Sequence, residues 1–242
     1  MAKRQTWQKR YIDSGKQFEW FFNFETVKRK VLPFIPKSDE CRIIDLGCGT
    51  SHFTLDLCKA SEFQGSVFLT DFSMEAVFHQ QKIYAAPQSS EICYDSGIPC
   101  NGVPSNSKTS HLDKSAVSTE HKKSSKLKTK MTSFFLCCDA EMLPLKDHSM
   151  DLVIDKGTVD SVLKDKNNGL SRARQMLKEA ARILTPGGHY IQFTDEDPDA
   201  RLSLLENSLC DFDVYRHFNI TYSSLGFYGN GIEYFLYVVV RK

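Results

Sequence analysis

The stretch Cys41-Arg42-Ile43-Ile44-Asp45-Leu46 breaks off at Gly47-Cys48-Gly49 and passes almost at once into a helical pattern, His52 to Ala60. A strand that feeds a helix through a glycine turn favours a crossover, because the helix packs back on the sheet before the next parallel strand. The pattern then repeats. Ser66 to Asp71 reads as a second strand, and Met74 to Tyr84 as the helix behind it, opening after Ser73, a residue suited to capping. Ser133 to Cys138, Met150 to Asp155 and His189 to Thr194 read as the third, fourth and fifth strands. Leu170 to Leu184 reads as a helix closed by Pro186-Gly187-Gly188. Ahead of them, Phe21, Phe24, Val27 and Val31 recur at three- and four-residue spacing and predict a helix over Phe18 to Ile35. Phe212 to Ile220 and Ile232 to Arg241 predict a closing antiparallel pair. The expected fold is α/β: a doubly wound, mostly parallel sheet of seven strands with helices on both faces.

One segment breaks the alternation. From Asn101 to Lys130 there is no Phe, Trp or Tyr, and seven lysines face only Asp113 and Glu120. Such a stretch cannot bury enough apolar surface to offset the entropy of ordering it. The chain is therefore expected to be a single domain over residues 1–242, with a lysine- and serine-rich loop insertion at about 86–131. Residues 101–130 of it carry a net charge of +5 and leave −4 for the rest of the chain.

Overall, Lys and Arg number 31 and Asp and Glu 30, so nothing in the global charge draws the chain to nucleic acid. The longest apolar runs, such as Tyr234 to Val240, are strand-length and fall short of the ~20 residues of a membrane helix. Neither a nucleic-acid nor a membrane partner is expected. Eight cysteines are too dilute for a disulfide scaffold, and several lie in apolar runs, which points to a reducing compartment. No C-x-x-C pair occurs, Cys93 and Cys100 lie seven apart, and Cys137 and Cys138 are adjacent, so no metal site is expected. The N-terminus has no apolar secretory core. Residues 1–12 carry four basic and no acidic residues, which is faintly like a matrix-targeting segment.

In an open parallel sheet the chemistry sits beyond the carboxyl ends of the strands. There the sequence places Gly47-Cys48-Gly49 after strand one, Asp71 at the end of strand two, Asp139-Ala140 after strand three and Asp155 at the end of strand four. The two glycines let backbone approach a ligand closely. A dinucleotide fingerprint wants a third glycine where this chain has His52, which disfavours a diphosphate cofactor and a nicotinamide dehydrogenase.

Asp45-Leu46-Gly47-Cys48-Gly49-Thr50 resembles the first motif of the class I, seven-stranded S-adenosylmethionine-dependent methyltransferases, whose fold is Rossmann-like. Asp71, Asp139-Ala140 and Leu184-Thr185-Pro186-Gly187-Gly188 match their later motifs. The resemblance implies S-adenosyl-L-methionine as cofactor, with Asp45, Gly47, Cys48 and Gly49 beside its methionine part. It also implies Asp71 and Phe72 at the ribose, Asp139 and Ala140 at the adenine, and Trp20 over the cofactor or the substrate. Enzymes that methylate adenine or glutamine carry Asn/Asp-Pro-Pro-aromatic after the fourth strand, whereas this chain has Asp155-Lys156-Gly157-Thr158.

That run looks like the methyltransferase-like group that modifies lysine in proteins. The segments Phe18-Glu19-Trp20-Phe21-Phe22 and Asp195-Glu196-Asp197-Pro198-Asp199 narrow the resemblance to the citrate synthase lysine methyltransferases of the mitochondrial matrix. It implies a protein substrate, citrate synthase, with Asp155 orienting the amine and Lys156, Asp195, Glu196 and Asp197 meeting the substrate. A cytoplasmic elongation-factor methyltransferase, a small-molecule methyltransferase and a non-catalytic cofactor-binding protein are the alternatives.

Overall fold

The computed structural model describes residues 2–14, 17–85, 131–209, 218–228 and 231–242. Seven strands form one sheet: β1 (Arg42–Leu46), β2 (Ser66–Asp71), β3 (Thr132–Cys137), β4 (Met150–Lys156), β5 (Leu184–Thr194), β6 (Phe218–Tyr228) and β7 (Ile232–Arg241). Their order is β3-β2-β1-β4-β5-β7-β6. The first five run parallel, while β7 lies antiparallel between β5 and β6. The order reverses at β1/β4, and the crevice opens there. The expected fold class is present.

The helices are α1 (Ala2–Ser14), α2 (Phe24–Val31), α3 (Phe53–Ala60), α4 (Met74–Ala85), α5 (Thr158–Leu163), α6 (Gly169–Ile183) and α7 (Pro198–Leu209). Alternation along each strand divides the core in two. Ile43, Leu152, Ile154 and Phe193 pack with α2 and α3 on one face. Ile44, Leu46, Val153 and Tyr190 pack against α6 and α7 on the other. Strands covered on both faces read as continuous apolar runs, which is why β1, β2 and β4 were legible within one residue at each end.

Several expectations are corrected, among them the fifth strand, which begins at Leu184 rather than His189 and takes in Pro186-Gly187-Gly188. The leading helix begins at Phe24 rather than Phe18, because Asn23 caps it by accepting from the Thr26 N–H (3.2 Å) and Phe21 sits at φ +69°, outside helical space. Residues 2–14, read for their charge, form α1. The acidic run after β5 turns into α7, where Asp197 accepts from the Ala200 N–H (3.1 Å) and Pro198 takes the first helical position. The outer strand of the closing pair runs to Tyr228, past a bulge between Ser224 and Gly226. Its predicted beginning at Phe212 and the lysine-rich insertion lie outside the described residues. No helix among the described residues is long and apolar enough to cross a membrane.

Candidate active site

At the β1/β4 switch point the strand ends line an open cleft of two adjoining compartments. They share Trp7, Gly47, Asp71, Phe72, Thr158 and Ser161. Asp45, Cys48, Gly49, Thr50, Ser51, Tyr11, Phe18, Trp20 and Lys156 complete the first compartment. Cys138, Asp139, Ala140, Glu141, Arg4 and Arg172 belong to the second. The structure thus brings all nine sequence-predicted cofactor residues to one cleft.

The glycine loop is held from three sides. Gly47 and Gly49 have φ of +70° and +52°, a region a side chain strains to enter. A Cβ on Gly47 would also lie 2.3 Å from Thr158 Oγ1. The Gly49 N–H donates to Asp71 Oδ2 (3.0 Å), and Asp71 Oδ1 accepts from the Ser73 N–H (2.9 Å). Gln80, buried on α4, donates to the carbonyls of Gly49 (3.0 Å) and Ser51 (2.8 Å). Asp45 accepts from the Thr54 hydroxyl (2.6 Å).

These carboxylates sit where water is scarce, and burial disfavours their charged forms. Burial pushes Asp45 up to about 7, with the Thr54 hydrogen bond and the Lys156 charge pulling back. Burial likewise raises Asp71 to about 6, against the backbone N–H groups that favour its anion.

Asp155 does not stand at the mouth of the cleft. It is fully buried, with Oδ1 accepting from the N–H groups of Thr158 (2.8 Å) and Val159 (3.3 Å). Its Oδ2 accepts from the Tyr190 hydroxyl (2.9 Å) and Gln192 Nε2 (2.7 Å). Both oxygens are engaged in opening α5 and tying β4 to β5, so the carboxylate lines neither compartment. Lys156 does line the first compartment, but its ammonium turns inward to Glu19 (3.0 Å) and the Trp20 carbonyl (2.8 Å). Asp195, Glu196 and Asp197 are exposed at the end of β5 and line neither compartment. Among the described residues no cluster of three metal-ligating side chains occurs.

The sequence reading missed the cover of the cleft. Arg4, Trp7 and Tyr11 lie on one face of α1. Arg4 pairs with Asp139 and lies 5.5 Å from the Phe72 ring centre. Trp7 Nε1 donates to Ser161 Oγ (2.6 Å). Tyr11 Oη lies 3.1 Å from where a Cβ on Gly49 would stand, and burial together with Asp71 pushes its pKa up. The three- and four-residue spacing of Arg4, Trp7 and Tyr11 was the signal available for this helix face.

A general methyltransferase-domain family matches residues 100–192. The mitochondrial citrate synthase-lysine N-methyltransferase of Danio rerio is 31% identical over 99% of this chain and 84% of that protein. Its counterpart in Pongo abelii is 32% identical over 92% and 78%. The chain belongs to the S-adenosylmethionine-dependent methyltransferases, in the family that holds these relatives. A more distant relative, EEF1A lysine methyltransferase 4 of Mus musculus, is 27% identical over 91% of this methyltransferase and 70% of its own length. Among solved structures, the N-methyltransferase NodS of Bradyrhizobium japonicum, crystallised with S-adenosyl-L-homocysteine, shares the fold. Its TM-score is 0.58 at 11% identity, over 100% of this chain and 99% of that one.

Proposed function

We propose that this methyltransferase transfers the methyl group of S-adenosylmethionine to lysine side chains of citrate synthase, within the mitochondrial matrix. The observation that carries the reading is the near full-length likeness to citrate synthase-lysine N-methyltransferases, above that to the elongation-factor enzyme. In this reading residues 1–242 work as one methyltransferase domain, and the lysine-rich insertion is a loop within it.

The residues lining the cleft fit the cofactor. Asp71 supplies a carboxylate for ribose hydroxyls, beside Phe72. Asp139 and Ala140 lie where an adenine edge is received, once Arg4 yields its place on Asp139. Asp45 and the Gly47-Cys48-Gly49 backbone take the methionine part. The cofactor supplies a methyl group on positively charged sulfur, so the protein needs no covalent nucleophile. Its residues align the acceptor nitrogen and exclude water. A lysine must arrive without its proton, and desolvation among Trp7, Tyr11, Phe18 and Trp20 lowers its pKa. Asp195 and Glu196, exposed just after β5, add negative charge that would attract a cationic segment. Asp155 and Lys156 build the site rather than touch the acceptor.

Purified citrate synthase and elongation factor 1A, each incubated with radiolabelled S-adenosylmethionine and the enzyme, separate the readings. Label on citrate synthase is expected. Label only on the elongation factor selects the cytoplasmic alternative, and label on neither removes both.

A further inference from the structure

Lys156 leaves the end of β4 with an almost fully covered side chain, 7% exposed, and packs 5.5 Å from the centre of the Phe53 ring. Its two acceptors both belong to the segment Phe18–Phe22. One is Glu19, whose Oε2 also accepts from Ser51 Oγ (2.8 Å) and whose Oε1 accepts from the His52 N–H (2.8 Å). The other is the carbonyl of Trp20. Burial alone would raise the Glu19 pKa, but the Lys156 charge and these hydrogen bonds more than offset it and hold it below its ordinary value. One carboxylate thus joins three pieces of chain: the segment itself, the loop after β1, and the tip of β4. The Phe18 N–H adds a bond to Thr50 Oγ1 (3.0 Å).

Close packing completes the seam. At Gly157, where φ is +83°, a Cβ would stand 3.0 Å from the Phe21 ring and 3.2 Å from that of Trp20. The segment is pressed against the turn after β4, and this presents Phe18 and Trp20 to the cleft. Their rings lie 5.9 and 5.1 Å from Trp7. The faces of these rings already hold cations: Lys164 Nζ is 4.4 Å from the Trp20 centre and the Arg10 guanidinium 4.1 Å from that of Phe18. Ring faces attract ammonium groups and pack well on methylene chains.

We propose that the Glu19–Lys156 pair is a positioning latch that holds Trp20 against Trp7, and that the wall these two packed rings form together lies along the stem of the acceptor lysine. The latch acts on the acceptor side of the cleft, and Lys156 touches neither reacting atom. The inference rests on the lysine acceptor proposed above. It goes beyond that reading by assigning acceptor recognition to the first 22 residues and not to the acidic rim.

Trp7 and Trp20 are the only tryptophans in the chain, so intrinsic fluorescence reports this wall alone. In Lys156→Met, acrylamide should quench the tryptophans more readily. The kcat/KM for citrate synthase should fall about tenfold, since small misplacements of the acceptor are expensive in rate. Affinity for S-adenosylmethionine, by calorimetry, should stay within about threefold. Lys156→Arg should recover much of the loss. Glu19→Gln also releases Ser51 and His52, so it should weaken cofactor and acceptor together. If Lys156→Met does not fold, Lys156→Gln makes the same comparison. Unchanged quenching in a folded Lys156 variant overturns the latch, and so does a cofactor loss as large as that of Glu19→Gln. Failure of the wild type to label citrate synthase would instead remove that substrate, and the quenching comparison, which needs no acceptor, would still decide the latch.

Discussion

Asp45→Asn should make the ligand-free enzyme more stable at pH 8 and leave it nearly unchanged at pH 4. Asp45 is 6% exposed, and burial raises its pKa from 3.8 to about 7. An acid raised in the folded state holds a proton that the unfolded chain has released, so folding stability falls as pH rises from about 4 to about 7. Three units of difference correspond to about 4 kcal/mol at full ionisation. The amide has nearly the same shape, keeps an oxygen for the Thr54 hydroxyl and carries no charge to desolvate. The variant should therefore gain roughly 2–4 kcal/mol at pH 8 and less than about 1 kcal/mol at pH 4. Asp71 and Asp155, both raised to about 6, slope in the same direction in both proteins, so the difference isolates Asp45. Urea unfolding followed by tryptophan fluorescence at the two pH values measures it. Asp45 is proposed above to take the methionine part of the cofactor, whose ammonium it would face, so affinity for S-adenosylmethionine should tighten more in the wild type than in the Asn variant between pH 6 and 7. An Asn variant destabilised equally at both pH values would refute the reasoning.

Asp71→Ala should weaken S-adenosylmethionine binding about 10²-fold by calorimetry, the size expected for losing a charged acceptor of two hydroxyls. A change below threefold removes it from the ribose site. Asp155→Ala strands the Tyr190 hydroxyl, Gln192 Nε2 and the N–H groups of Thr158 and Val159. It should lower stability by about 2–4 kcal/mol in urea while turnover per folded molecule persists; lost turnover at unchanged stability would return it to the chemistry. Gly47→Ala places a Cβ 2.3 Å from Thr158 Oγ1 at φ +70°. It should destabilise by about 2 kcal/mol or more, and Thr158→Ala in the same chain should recover part of that; strictly additive losses would count against the clash.

Much of the sheet was legible because its central strands have only one environment. Ile43, Ile44, Val153 and Ile154 are fully buried, and such positions admit little but apolar residues. The cofactor loop was legible for a similar reason, since positive φ and close approach leave glycine the unstrained choice at 47 and 49. What escaped is half-solvated. β6 is an edge strand with an exposed run from Thr221 to Ser224, so no alternation marks it. The Phe18–Phe22 segment has helical spacing on paper, but Phe21 turns left-handed and the aromatics pack on Trp7 of α1, on Phe193 and on one another. Tertiary packing overrode the local pattern there. Asp197, expected on the substrate, also caps α7, a role the sequence reading did not give it.

On the proposed reading, the run Asp155-Lys156-Gly157-Thr158 would report substrate class through what it holds in place. Asp155 opens α5, and Lys156 latches the aromatic segment. Gly157 leaves room for the rings of Phe21 and Trp20, and Thr158 fills the space above Gly47 and donates to the Leu46 carbonyl (2.6 Å). Each residue is constrained by what it holds, and what the four hold together is the wall facing the acceptor. A rigid proline turn at the same place would strip the β4 tip of both anchors. On the latch proposed above, discrimination between acceptors would reside in the rings of Trp7 and Trp20, while the four residues from Asp155 to Thr158 fix where Trp20 stands.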